Sequence, residues 1–424
     1  MPAHESSHRK AEIICLIIVL AVGIFFRLPQ SAFSGDGNPL HALECLHPMP
    51  KYTEMGMLGA DEDLYRRYII DLVYHGLASY PVIVEHYIEL QMKAPKALLP
   101  PTRFLYIFTS YVWHCCFGTD PIGSLDQVAS CFSILTLIVS GIFAYRLADR
   151  GTAISLVALM SCAPTQIHMS QHGMIDGFFT FWALLCLWTM WESLRAPGDW
   201  RWLVGYTVAL VFLVITKENS FFVWVALCAI ILTNKWLKFG VAGRNLVVAT
   251  IVGPLLGLVI LIFLAGGLDN LLTTYRLLVS KASQSPYAIL TGDGPWYRYL
   301  VDLLLVSPLV LLLAFGTIFR LDRTKKPELY MAIFIAATYL VMCNVKYGMN
   351  LRYANMWDMP LRFLAFSQIG VLAALVPRYR AWLTVILVGL VAGFELRQYY
   401  ILAVQYPLYE LITHDLLRAL HLLK

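Results

Sequence analysis

Acidic residues stand where the chain passes from a polar segment into an apolar or amphipathic one. Asp61, Glu62 and Asp63 directly precede the amphipathic stretch 64–77, and Asp176 begins a long apolar run. Carboxylates in such places commonly cap helices and face the positive end of the helix dipole. A carboxylate at a membrane boundary can also accept a proton from a hydroxyl group. The sequence leaves both interpretations open.

Basic residues recur in other polar segments between apolar runs. Lysine and arginine side chains there can anchor the chain beside an aromatic belt, or they can bind a phosphate group. A proline-rich stretch around 95–101 also carries cations, and its prolines should separate two helices. The residues concerned are Lys96, Arg103, Lys217, Lys346 and Arg352, with Tyr353 next to Arg352.

The composition makes lipid the solvent for much of this chain. Of its 424 residues, 59% are hydrophobic and 14% are charged, and the mean hydropathy is +0.66. A soluble protein carries about 25% charged residues, so these charges are too few to cover a water-facing surface. The net charge of +5 is spread through short loops, without the basic tail or aromatic-basic stripe typical of nucleic-acid binding. We therefore expect a membrane protein with no nucleic-acid partner.

Apolar runs of about 20 residues predict an all-α polytopic protein with about eleven transmembrane helices. They lie near 12–29, 126–147, 152–168, 175–193, 201–216, 219–236, 244–266, 298–318, 328–345, 357–376 and 380–397. The predicted transmembrane domain covers 1–397, and a short external amphipathic segment covers 398–424. We see no internal repeat.

The distribution of basic residues predicts that the N-terminus lies inside. The longest external region is then 30–125. Its apolar run 104–118 is too short for a span, and we expect it to form a juxtamembrane helix on the external surface. All the acids and cations named above then fall on the outer side of the membrane. That shared side favours one functional site over unrelated caps and anchors.

Two other classes of protein fit parts of this pattern. A transporter or lipid flippase would place ionisable residues at mid-membrane on broken helices in related halves. Here the charges within spans, such as Asp302, Arg362 and Glu395, lie toward the span ends. A membrane scaffold without catalytic activity is the remaining alternative.

Several of these segments resemble motifs of the GT-C glycosyltransferases, most nearly the protein O-mannosyltransferase and aminoarabinose transferase branch. One departure is that Ser170 is followed by Gln171 and His172, where that family often has Ser-Arg. The similar segments, in chain order, are Asp61-Glu62-x-x-Tyr65, Pro100-Pro101-x-x-Phe104-Leu105-Tyr106, the loop from Ala163-Pro164 to Asp176, Thr216-Lys217, and Arg352-Tyr353 before Pro360.

The resemblance implies a GT-C-like bundle that acts as an inverting glycosyltransferase. It would transfer a sugar from a polyprenyl- or dolichyl-phosphate donor to a glycan, lipid or protein acceptor outside the cytoplasm. Asp61 would be the base or orient the acceptor, with Glu62 and Asp176 supporting it. Lys217 and Arg352 would stabilise the leaving lipid phosphate. Lys96, Arg103, Lys346 and Tyr353 are the further candidates for contact with that phosphate.

Further expectations follow from the same resemblance. Tyr65 and His172 would contact the sugar or the acceptor. No cofactor is expected to be required, although Asp61 and Asp63 have the spacing of a divalent-metal site. A bacterial inner membrane with the site facing the periplasm is the predicted location, and the endoplasmic reticulum membrane with a lumenal site is the alternative.

Overall fold

The computed structural model describes residues 2–33, 38–49, 60–406, 408–409 and 411–422. These residues form nineteen α-helices and no β-strand. The α-helices are α1 (Pro2–Phe25), α2 (Ala60–His75), α3 (Tyr80–Lys93), α4 (Phe104–Phe117), α5 (Pro121–Leu147), α6 (Arg150–Ser161), α7 (Pro164–Ser170), α8 (Ile175–Arg195), α9 (Trp200–Val214), α10 (Ser220–Leu237), α11 (Arg244–Leu264), α12 (Leu268–Ala282), α13 (Pro286–Gly292), α14 (Arg298–Val306), α15 (Pro308–Ile318), α16 (Lys326–Met342), α17 (Asp358–Ala374), α18 (Arg380–Tyr399) and α19 (Ile412–Ala419). Five short 3₁₀ helices and one π-helix, Tyr400–Gln405, complete the described helical elements; the 3₁₀ helices are Gln30–Ala32, His41–Leu46, Leu77–Ser79, Leu351–Trp357 and Pro377–Tyr379.

Each apolar run that predicts a span is helical in the structure. Within the described ranges, four helical segments are long and apolar enough to cross a membrane on their own. They are α5, α10, α11 and the continuous segment Pro377–Gln405. The pair α14 and α15 would be a fifth span if its two helices cross together. The all-α polytopic class is confirmed, and the number of eleven spans stays a prediction.

Prolines break two of the predicted spans. The span predicted at 298–318 consists of α14 and α15, which are bent by 120° at Ser307 and Pro308. Proline removes a backbone donor and disfavours helical geometry in the preceding residue, and Ser307 has φ −139° and ψ 55°. The run 152–168 likewise divides into α6 and α7, because α7 begins at Pro164.

The predicted C-terminal amphipathic segment 398–424 contains one short α-helix, α19, among its described residues. The first residues of the segment belong to the end of α18 and to the π-helix Tyr400–Gln405, which extends α18. Positions 407, 410 and 423–424 of this segment lie outside the described residues.

Three helices, α2, α3 and α4, gather at one end of the main bundle. Tyr65, Ile69 and Leu72 recur at helical spacing along α2 and are fully buried, because that face packs on α4 and α5. The proline-rich stretch separates α3 from α4, as predicted, and α3 packs against α12. The apolar run 104–118 is a helix, and its position on the membrane surface stays a prediction.

Helix α8 extends from one end of the bundle to the other. It has 21 residues, a length of about 30 Å. Asp176 lies in its first turn, and Glu192 in its last turns forms an ion pair of 2.6 Å with Arg146. Arg195 also donates to the carbonyl oxygen of Arg146 at 3.1 Å. Arg146 and Arg195 therefore lie at the end of α8 opposite to Asp176.

Candidate active site

A small polar cavity brings together most of the sequence-predicted site residues. They come from α2, the loop before α4, the start of α8, the turn between α9 and α10, and the 3₁₀ helix 351–357. The lining residues are Asp61, Tyr65, Leu99, Arg103, Met174, Ile175, Asp176, Lys217, Arg352 and Tyr353. Asp61 and Arg352, which are 291 positions apart in the chain, thus share one site, and the two predicted acids Asp61 and Asp176 lie on the same side of the bundle.

Asp176 and Lys217 form the most deeply buried ion pair of this cavity. Their side chains are 5% and 1% exposed, and the ammonium group donates to the carboxylate. The Lys217 ammonium also lies 4.1 Å from the centre of the Tyr353 ring, a cation–π contact. Burial lowers the pKa of Lys217 below its usual value, although Asp176 opposes that shift.

Arg103 is held between a carboxylate and a phenol. Its guanidinium donates to both carboxylate oxygens of Glu218, through Nε at 3.2 Å and through Nη2, and Nη1 donates to the Tyr65 hydroxyl at 2.7 Å. Burial disfavours the cation, but Glu218 and Tyr65 outweigh burial and keep the pKa of Arg103 above its usual value. The same guanidinium lowers the pKa of Glu218, against the effect of its burial.

Arg352 reaches Asp61 across the mouth of the cavity. Its Nη1 donates to Asp61 Oδ2 at 3.2 Å and lies 3.0 Å from the sulfur of Met174. The guanidinium carbon lies 5.4 Å from the centre of the Tyr287 ring. The Arg352 side chain is 5% exposed and that of Asp61 is 29% exposed, so the carboxylate of this pair is accessible from the outside.

Glu62 is directed to the loop between α7 and α8 instead of the cavity. Its Oε1 accepts from the backbone N–H of Gly173 at 3.0 Å and lies 3.6 Å from His172 Nδ1. A Cβ atom at Gly173 would come within 3.0 Å of Asp126 Oδ1, so glycine permits this close approach. Glu62 therefore fixes the loop that precedes Asp176, and neither Glu62 nor His172 lines the cavity.

A large groove opens beside the polar cavity and shares six lining residues with it. The groove has a volume of about 1560 Å³. Asp176, Lys217 and Tyr65 line only the small cavity, and the shared residues are Asp61, Leu99, Arg103, Met174, Arg352 and Tyr353. Exposed Lys96 and Lys346 also line the groove. Its apolar walls include Ile83, Leu90, Phe221, Phe222, Leu278 and Val279.

Asp63 forms its ion pairs with arginines of its own helix. Its carboxylate pairs with Arg66 at 2.5 Å and with Arg67 at 2.7 Å, one turn further along α2. Among the residues that the structure describes, no group of three histidine, cysteine or acidic side chains is placed to hold a metal ion. Metal binding by Asp61 and Asp63 stays a prediction that these contacts do not support.

Three residues of the site were not among the sequence-based candidates. Glu218 shares a polar turn with Lys217, so its acidic type was visible, but its pairing with Arg103 joins segments 115 positions apart. Met174 and Tyr287 contact the Arg352 guanidinium. Methionine and tyrosine are common in membrane proteins, and nothing in their spacing indicates that contact.

Comparison with known proteins finds similarity in structure alone. No protein-family model and no curated protein sequence matches the chain. ArnT from Cupriavidus metallidurans in the apo state is similar with a TM-score of 0.53 at 13% identity, over 96% of this chain and 76% of ArnT. The structure of ArnT bound to undecaprenyl phosphate has a TM-score of 0.50 at 13% identity, over 97% of this chain and 77% of that one.

The second similar protein is the oligosaccharyltransferase AglB from Archaeoglobus fulgidus. Its complex with an inhibitory peptide and a dolichol-phosphate has a TM-score of 0.60 at 13% identity and matches 93% of this chain. The chain spans about half the length of AglB, 56%. ArnT and AglB both have the GT-C fold. The chain therefore has the fold of these polytopic membrane proteins, which confirms the fold that the sequence motifs implied.

Proposed function

We propose that this chain is an integral membrane glycosyltransferase that takes a sugar from a polyprenyl- or dolichyl-phosphate donor. The observation that carries the proposal is a single groove lined by the side chains of Arg103, Arg352 and Asp61 and by apolar side chains along its walls. ArnT and AglB, which share the fold, have been solved with undecaprenyl phosphate and dolichol-phosphate respectively.

The groove matches the two chemically different parts of such a donor. A polyprenyl chain requires an apolar surface, because each buried CH₂ group contributes about 0.8 kcal/mol. Helices α3, α10 and α12 supply that surface with aliphatic and phenyl side chains. The phosphate requires cations, and Arg103 and Arg352 are the buried cations that line the groove. Guanidinium groups suit a phosphate because they donate in a planar fork.

The proposed reaction is a single displacement with inversion at the anomeric carbon. A nucleophilic oxygen of the acceptor forms a bond to that carbon as the bond from carbon to the phosphate oxygen breaks. The bonding electron pair leaves with the lipid phosphate, whose growing charge is stabilised by Arg352 and Arg103. The proton of the attacking hydroxyl passes to Asp61. No nucleotide and no redox partner enters this balance.

Accessibility favours Asp61 over Asp176 as the base. Asp61 lines the groove and is 29% exposed, whereas Asp176 is 5% exposed and paired with buried Lys217. A base must come within hydrogen-bond reach of the proton that it accepts, and of these two carboxylates Asp61 is the one that lines the groove. We assign Asp176 and Lys217 to the support of Tyr353 and the cavity floor.

The acceptor and the location remain part of the proposal. A glycan, lipid or protein acceptor would enter beside Asp61, and the site would face the periplasm of a bacterial inner membrane or the lumen of the endoplasmic reticulum. The guanidinium groups supply the positive charge that a metal ion would contribute, so transfer should continue in EDTA. Loss of activity in EDTA and its return with Mg²⁺ or Mn²⁺ would favour a metal at Asp61.

The test compares glycans of envelope lipids and proteins by mass spectrometry with and without the gene, then reconstitutes transfer with purified protein and a lipid-phosphate sugar. Asp61→Asn should lower kcat by about 10²- to 10⁴-fold, the usual contribution of a general base. Asp71→Asn, at the other end of α2, is the matched control. Uptake of the sugar lipid into sealed vesicles without covalent transfer would support a flippase instead.

A further inference from the structure

We propose that the donor's phosphate takes the place of Asp61 on Arg352, so that binding of the donor releases the base. This inference rests on the proposed function and concerns the regulation of that same site. It begins from a charge balance. Each buried cation of the groove and of the adjoining polar cavity already has a carboxylate partner: Arg103 with Glu218, Lys217 with Asp176, and Arg352 with Asp61.

A phosphate that enters a site balanced in this way must compete with a carboxylate for a cation. The alternative is an uncompensated negative charge beside buried groups, which costs free energy. The pairs differ in how easily they can be opened. Lys217 and Asp176 do not line the groove. Glu218 engages Arg103 through two nitrogen atoms, and such two-point pairs are the strongest type.

The pair of Arg352 and Asp61 is the one that a ligand can open from the groove. One hydrogen bond of 3.2 Å joins the two side chains, and both residues line the groove. Arg352 is also held by Met174 and by the Tyr287 ring. The guanidinium therefore keeps its place when the carboxylate leaves, and a phosphate meets a cation that is already oriented.

Displacement has a direct consequence for the base. While it is paired with Arg352, the Asp61 carboxylate is held toward the guanidinium through Oδ2, and that contact competes with an acceptor hydroxyl for the same oxygen. A phosphate on Arg352 repels the carboxylate and turns it toward the groove, where the sugar is attached. The site would then bind the donor first and become able to accept a proton only in its presence.

The experiment measures binding of polyprenyl phosphate, without a sugar, to the full-length protein in nanodiscs. Asp61→Asn removes the competing charge and should tighten binding by about fivefold, because a partly exposed ion pair is worth up to about 1 kcal/mol. Asp71→Asn removes the same charge from the same groove, about 15 Å further along α2. It should bind like the wild type. In an Arg352→Gln background, Asp61→Asn should no longer tighten binding.

The outcomes distinguish the displacement of Asp61 from the proposed function. Tighter binding by Asp61→Asn alone supports displacement. Equal affinity of the Asp61 and Asp71 variants, or weaker binding by Asp61→Asn, would overturn it and leave the proposed function intact. Failure of the wild type to bind polyprenyl phosphate at all would instead count against the proposed function. If Asp61→Asn does not fold, Asp61→Ser permits the same comparison.

Discussion

The buried ion pair of Asp176 and Lys217 allows a prediction with a magnitude. Lys217→Met keeps the length of the side chain but removes its charge. It leaves the Asp176 carboxylate, 5% exposed, without its closest cation. Removal of one partner of a buried pair costs about 3–5 kcal/mol. Arg352 and Arg103 also attract Asp176, so we expect a loss near 3 kcal/mol in the free energy of unfolding.

The double variant distinguishes this reasoning from a simple packing effect. Asp176→Asn with Lys217→Met removes both charges and should lie within about 1 kcal/mol of the wild type, because no buried charge is left uncompensated. The assay is unfolding of the detergent-solubilised protein, followed by tryptophan fluorescence. The surface variant Lys235→Met is the control and should change stability by less than about 0.5 kcal/mol. Costs of the single variants that simply add in the double variant would refute the coupling of the two charges.

Three further predictions concern the other charges and the groove. Burial lowers the pKa of Lys217, so its cation is lost as pH rises through a value below 10.5. Lys217→Arg should therefore move the alkaline limb of the pH–activity profile to higher pH. An unmoved limb would exclude Lys217 as the source of that limb. Glu218→Gln should lower the free energy of unfolding by about 1–3 kcal/mol, because the buried Arg103 loses its charged acceptor, whereas full stability in thermal denaturation would contradict the pairing. Leu278→Asp places a charge on the apolar wall of the groove. It should raise KM about tenfold for a long-chain donor, a cost of about 1.4 kcal/mol. KM for a short-chain donor, measured in the same transfer assay, should not change.

The sequence alone determined the class of the protein and the identity of most site residues. A charged fraction of 14% and repeated apolar runs leave no alternative to a helical membrane protein, because backbone groups in lipid must be satisfied within each segment. The proline-rich stretch before α4 correctly predicted a helix boundary, whereas the span predicted at 152–168 missed the break at Pro164. Ionisable residues in short polar segments were also visible, since charges near a membrane are costly and therefore few.

Only the tertiary structure decided which of those residues act together. The same sequence pattern describes Glu62, which binds the backbone of Gly173, and Asp61, which meets Arg352 from a segment 291 positions away. It also describes Glu218, whose partner Arg103 could not be recognised from the turn that contains it. Local spacing specifies the face and the end of a helix on which a residue lies. Partners across the bundle depend on how the helices pack, and that packing places Asp61 at the groove and Asp176 in a buried ion pair.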